Sequence, residues 1–178
     1  MPTYAFTDLD CVIDDVHALF DAWADDGTFR AVLGEDGLEV LRLAVHEWIA
    51  NLVQHASFPC GTRIEVALGV EGNAIRCAIA DSSAGFDMAT QIERQRAVLD
   101  APAPSERGRG LLMMIQSTDG LTFRPADPDH FQAISFLVRD PGHDFFAGLF
   151  RPEDLQADPS LARSMGDGVA DGVPKPPR

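Results

Sequence analysis

Lysine is nearly missing. Lys175 is the only one in 178 residues, and the other cationic side chains are arginines. No Gly-Lys-Ser/Thr run exists, which removes a P-loop from consideration. The formal net charge of −14 argues against DNA or RNA as a direct partner, because phosphate backbones need clustered Lys and Arg. A small anionic ligand stays open, since local arginines or backbone N–H groups suffice for it. Cysteine is also scarce. Cys11, Cys60 and Cys77 are far apart, odd in number and form no CxxC, which reads as buried free thiols in a reducing cytosol. No apolar run approaches the ~18 residues of a membrane span. The opening MPTYAFTDLD lacks the basic region and apolar stretch of a signal peptide. A soluble, cytoplasmic protein with no membrane partner is expected.

What is present has clear periodicity. Tyr4 to Phe6 suits a short strand. Val12, Ile13, Val16, Leu19, Phe20 and Trp23 recur at helical spacing, and Gly27 marks a break. Gly34 and Gly37 bracket an expected loop, and a long helix is expected from about Leu38 to Ser57, ended by Pro59 and Gly61. TRIEVALGV alternates with Ile64, Val66, Leu68 and Val70 on one face, EGN makes a turn, and NAIRCAIAD supplies the return strand. DSSAGFD then leaves the strand as a loop, Thr90 to Leu99 suits a short helix, and Asp100 to Arg109 suits a mobile segment. Leu111 to Ser117 starts another helix. A second hairpin follows, with strands near Leu121–Arg124 and Phe131–Val138. This order predicts an α+β fold: a two-layer sandwich with a mostly antiparallel sheet and helices on one face. Residues 1–140 are expected to be one domain. Residues 141–178 read as a C-terminal extension, partly disordered, with Pro, Gly and Asp concentrated toward its end.

Three short stretches carry chemistry. In HEWIANLVQHA, Glu47, Asn51 and His55 stand four residues apart along the edge of an apolar helix face. A solvated stripe is one reading. The other is a Mg²⁺ site, because a carboxylate and an amide oxygen one turn apart can address the same hard cation. The zinc motif HExxH fails, since Ala50 stands where its second His belongs. In DSSAGFD, Asp81 ends a strand and Gly85 follows. An ionised carboxylate only accepts hydrogen bonds, so Asp81 could read the exocyclic amine of adenine, with Gly85 allowing close approach; an Asx-turn is the plainer alternative. In SERGRGLLMM, Gly108 and Gly110 precede a helix whose free N–H groups, with Arg107 and Arg109, could hold an anion; a simple loop is the alternative. The stretch does not fit GxGxxG, so a dinucleotide fold is not supported.

In this order and spacing the three stretches resemble the N box and two glycine boxes of the GHKL ATPase superfamily, which includes gyrase, the histidine kinases and MutL. The resemblance covers roughly Tyr4 to Arg139, and its short form looks like the anti-sigma factor serine/threonine kinases. It implies the Bergerat-type sandwich and a site for ATP and Mg²⁺. It implies Glu47 as general base, Asn51 as the Mg²⁺ ligand, His55 near the phosphates, Asp81 on the adenine amine, and Gly85, Arg107, Gly108, Arg109 and Gly110 as further nucleotide contacts. The lid would span about Asp87 to Arg107. It also implies two partners: a STAS-domain anti-anti-sigma protein, phosphorylated on Ser or Thr, and a sigma factor bound when that antagonist is absent. Members of the family often form homodimers. Two positions depart from the pattern. The first glycine of DxGxG is Ser83, and a strand Thr that helps bind adenine is placed at Ala133. A catalytically weak regulatory binding module on the same fold is the alternative these departures leave, and a nucleotide-free α+β domain in which the motifs are accidental is a third.

Overall fold

The computed structural model describes residues 1–85, 88–99 and 110–140. Within them the chain runs β1 (Thr3–Phe6), α1 (Val12–Asp26), α2 (Thr28–His55), β2 (Ile64–Glu71), β3 (Ala74–Asp81), α3 (Met88–Leu99), α4 (Gly110–Ser117), β4 (Asp119–Arg124) and β5 (Gln132–Arg139). The expected mobile segment and the C-terminal extension from residue 141 lie outside the described residues.

In α1 the residues Val12, Val16, Phe20 and Trp23 are buried, one helical stripe against the next helix. Gly27 closes α1 with φ 74, a left-handed conformation that glycine adopts at little cost. The expected loop between Gly34 and Gly37 is absent. Helix α2 runs from Thr28 to His55 with one break at Gly34, where φ is 65 and ψ −173. Burial overrides the turn signal here: Phe29 and Leu33 before the break and Leu38, Val40 and Leu41 after it all face the core. Gly37 is helical and packed, since a Cβ there would stand 2.8 Å from Leu33 Cβ and 3.3 Å from the Arg139 carbonyl. Glu35 and Asp36 follow the break, at the helix start where the dipole favours acidic side chains.

The sheet order is β1-β2-β3-β5-β4, and every neighbouring pair is antiparallel. Alternation sorts its two faces. Ile64, Val66 and Leu68 of β2, Ile75, Cys77 and Ile79 of β3, and Ile134, Phe136 and Val138 of β5 are buried on the helix side. Val70 continues that parity but is 52% exposed, so the buried stripe stops before β2 does. Helix α2 packs against β3 and β5, and also against α1 and α4. Its inward face comprises Leu41, Ala44, Val45, Trp48, Ile49 and Leu52, with Trp48 edge-on to Phe123 at 6.0 Å. Two polar links join α1 to α2 at their rim: Arg42 with Asp21 at 3.2 Å, and His17 Nε2 with His46 Nδ1 at 3.0 Å. The α+β fold expected from the sequence is the fold observed. No helix among the described residues is long and apolar enough to cross a membrane.

All three cysteines are free, but only Cys77 is buried; Cys11 and Cys60 are exposed, against the expectation of three buried thiols. Cys77 lies on the inner parity of a central strand, whereas Cys11 precedes α1 and Cys60 lies in the turn before β2. Burial pushes the Cys77 thiol far above its ordinary range. The neighbouring Asp8 carboxylate raises that of Cys11. An aromatic disulfide reagent at mildly alkaline pH should therefore modify Cys60 first, Cys11 more slowly, and Cys77 only on unfolding. Three thiols reacting alike in the native protein would contradict this packing.

Candidate functional site

Glu47 and Asn51 are half-buried at the edge of the inward face of α2, and His55 is exposed in its last turn. Asn51 Nδ2 donates to the Glu47 carbonyl oxygen at 2.7 Å. A carbonyl only accepts, so this bond fixes which way the amide faces and leaves Asn51 Oδ1 as the end available to a ligand. The Glu47 carboxylate lies against Gly110, the first residue of α4. A Cβ at Gly110 would overlap the carboxylate, with Glu47 Cδ only 2.7 Å and Cγ 3.4 Å away. The missing side chain at Gly110 thus lets the stripe on α2 meet the N-terminus of α4, where backbone N–H groups have no partner inside the helix.

A second cluster stands at the end of the sheet. Asp81 is on the same parity as Ile75, Cys77 and Ile79, and it is completely buried. Its register partner is Gln132 of β5. Gln132 Nε2 donates to Asp81 Oδ2 at 3.2 Å and lies 3.5 Å from Oδ1. The Ser83 N–H donates to Oδ1 at 3.1 Å, so the Asx-type turn anticipated as the plainer reading is present. Burial pushes the Asp81 carboxyl above its ordinary range, against opposing contributions from Ser83 and Gln132 that favour the ionised form. Ser83 is also buried, and its hydroxyl stands close to the carboxylate without a well-aligned hydrogen bond.

The loop that carries Asp81 to Gly85 is tied down. Ser82 N–H donates to the Arg63 carbonyl at 2.9 Å and Ala84 N–H to the Ser57 carbonyl at 2.8 Å. Ser57 stands two residues beyond the end of α2, so this anchor couples the loop to the helix bearing Glu47 and Asn51. Gly85 has φ 121, a conformation L side chains rarely adopt, and among the described residues nothing lies within 4 Å of where a Cβ would be.

The structure thus seats Glu47 against Gly110, with Asn51 one turn farther along α2 and His55 beyond it, and places Asp81 at the end of β3 with Gly85 in the loop that follows. Arg107, Gly108 and Arg109 lie outside the described residues, as do both ends of the expected lid; its described part is α3, which packs on α4. The strand residue beside Asp81 is Gln132 and not Ala133, which pairs with Ala80 on the opposite face. A one-residue slip in a strand exchanges its faces, which is how Gln132 escaped notice. The signal was present: Gln132, Ile134, Phe136 and Val138 share one parity, and a glutamine on an apolar parity marks a polar partner.

Glu47 and Asn51 offer two oxygen donors one helical turn apart. That set suits Mg²⁺, which takes its other ligands from water and phosphate. Among the described residues no three His, Cys, Asp or Glu converge into a protein-built cage.

The sequence model of the histidine kinase-like ATPase domain matches residues 13–129. That stretch contains Glu47, Asn51, His55, Asp81, Gly85 and Gly110, and stops just short of Gln132. Comparison with curated proteins returns no match.

Proposed function

The chain belongs to the histidine kinase-like ATPase domain family, and on that footing we propose that it is an ATP-dependent anti-sigma factor serine/threonine kinase. Its substrate is a Ser or Thr hydroxyl on a STAS-domain anti-anti-sigma partner, and it holds a sigma factor when that partner is unavailable. One observation carries the catalytic part: the Glu47 carboxylate seated against Gly110, where a carboxylate meets the N-terminus of a helix. A helix N-terminus attracts phosphate, and a carboxylate placed beside it is positioned to take the proton of a hydroxyl brought up to that phosphate. The protein's charge of −14 suits a partner with basic surface, such as a sigma factor.

In this reading Asp81 accepts from the adenine amine and Gly85 lets the base approach the backbone. Gly108 and Gly110 present N–H groups to the phosphates, with Arg107, Arg109 and His55 adding donors. Asn51 Oδ1 would hold Mg²⁺, which when bound offsets negative charge on the phosphate oxygens. Glu47 takes the proton of the partner hydroxyl as its oxygen bonds to the γ-phosphorus, and the P–O bond to ADP breaks. Positioning and electrostatics supply most of the acceleration in such a transfer.

The test is transfer of labelled γ-phosphate to a panel of purified STAS-domain proteins. Wild type should label one of them on Ser or Thr. Glu47→Ala should slow that transfer by about a hundredfold or more while still binding ATP. ATP binding without transfer to any STAS protein would instead support a regulatory binding module on this fold. Ser83 is the observation that favours that second reading, because it puts a buried side chain beside Asp81 where the family pattern has glycine.

A further inference from the structure

We propose that the face of the sheet turned away from the helices is a docking surface for the chain's own C-terminal extension. Phe145, Phe146, Leu149 and Phe150 cover its small residues, and Glu153 and Asp154 reach Arg124. The outward parity of the three central strands carries Ala67 and Gly69 on β2, Ala78 and Ala80 on β3, and Ala133 and Ser135 on β5. An antiparallel face left to water usually carries polar side chains, and alanine and glycine are depleted from strands. Ala80, Phe131 and Ala133 nevertheless form a buried apolar cluster separate from the main core, with no helix residue in it. Small side chains in that arrangement let large ones approach the sheet closely.

Two guanidinium groups border this shelf. Arg76 donates from Nη1 to Ser135 Oγ at 3.3 Å and from Nη2 to Glu71 at 2.9 Å, so its charge is met. Arg124, opposite Ala133, donates from Nη2 to the Phe131 carbonyl at 2.9 Å, but its Nε is buried with no hydrogen-bond partner among the described residues. A buried donor left unmade is costly, and a carboxylate suits a guanidinium N–H best. The sequence after β5 and Asp140 supplies the matching chemistry: it continues PGHDFFAGLFRPED. Pro141–Gly142 is a turn-forming pair at the end of β5, four large apolar side chains follow, and two carboxylates come after them. A chain reversing there passes Leu137, then Ser135, then Ala133 and Arg124, which is the same order of apolar before charged. The run of β5 from Arg139 back to Ala133 measures about 20 Å, and the chain from Asp140 to Glu153 can span up to about 40 Å. Tethering gives this segment a high effective concentration over the face.

The test is hydrogen–deuterium exchange, read by mass spectrometry on the full chain, for wild type, Ala78→Arg and Arg124→Gln. Ala78→Arg sets a long charged side chain on the shelf and leaves the helix-side core untouched. In wild type the amides of residues 145–154 should exchange at least about tenfold more slowly than in an unstructured chain. Ala78→Arg should return them to the unstructured rate while α2 and β3 stay protected, which reports that the domain is folded. Arg124→Gln keeps a donor for the Phe131 carbonyl and should speed exchange around Glu153 and Asp154 severalfold. If Ala78→Arg exposes α2 as well, Arg124→Gln and the double variant Phe146→Ser with Phe150→Ser carry the test, and both should release the segment. A wild-type segment exchanging at the unstructured rate overturns the proposal, as does protection that the face variants leave intact. Protection that appears only as rising protein concentration drives dimerisation would give the face to a second copy's segment and overturn it too.

Discussion

Asp81→Asn should lose most of its affinity for adenine nucleotide and gain thermal stability in the same step. The loss follows from the hydrogen-bond inventory. Asp81 Oδ1 already accepts from the Ser83 N–H, and Oδ2 faces the Gln132 amide. In the Asn variant the side-chain oxygen keeps the Ser83 contact and an NH₂ takes the place of Oδ2. Gln132 can flip so that its Oε1 accepts from that NH₂, so the fold accommodates the change. The base now meets a donor where it needs an acceptor. Removing a charged hydrogen bond of this kind weakens binding between about tenfold and about a hundredfold. The variant should also prefer ATP less strongly over inosine triphosphate. Titration with both nucleotides reads both effects, and unchanged ATP affinity in Asp81→Asn would remove Asp81 from the base pocket.

The stability gain follows from linkage. Burial raises the Asp81 carboxyl above its unfolded value. A group so shifted contributes stability that is fully present below its unfolded pKa and is lost as pH rises through the folded pKa. At neutral pH the wild-type protein therefore holds a buried carboxylate at a cost that Asn does not incur. The melting temperature of Asp81→Asn should exceed that of wild type near pH 7.5. The difference should shrink as pH is lowered toward the ordinary carboxylate range, where Asp81 is protonated. A variant less stable than wild type at pH 7.5 would mean that hydrogen bonds from Ser83 and Gln132 outweigh burial.

Asp81 and Gln132 also show what the sequence could and could not reveal. The strands were legible because apolar residues alternate with unusual regularity, and Asp81 stood out as a charge ending such a run. The stripe on α2 was legible because Glu47, Asn51 and His55 interrupt a helix rich in buried residues. Local signals failed where tertiary burial overruled them. Gly34 and Gly37 carry a turn signature, yet Leu33, Leu38 and Leu41 hold α2 to the core and reduce that signature to one break. The face presented by β5 depends on its register with β3, which fixes Gln132 opposite Asp81 across fifty intervening positions. Spacing along one strand cannot supply that register. The contact between Glu47 and Gly110 is of the same kind: each residue drew attention alone, and only the packing of α2 on α4 makes them neighbours.

Gly110→Ala tests that contact with the smallest possible change. The new Cβ would occupy the space of the Glu47 carboxylate. The three nearest atoms it meets all belong to the flexible Glu47 side chain, so the carboxylate can swing aside and α4 need not move. Alanine favours a helix by up to about 1 kcal/mol over glycine, and the variant should fold at least as well as wild type. Its backbone N–H remains, so ATP affinity should change little. What it loses is the placement of the carboxylate, and a displacement of about 1 Å at a reacting group can slow a reaction about a hundredfold. The expected result is a stable, ATP-binding protein with transfer reduced to nearly the level of Glu47→Ala. The double variant should be no slower than Glu47→Ala alone, because both changes remove the same interaction. Transfer at the wild-type rate in Gly110→Ala, or losses that multiply in the double variant, would show that the carboxylate at Gly110 is not the group that acts on the hydroxyl.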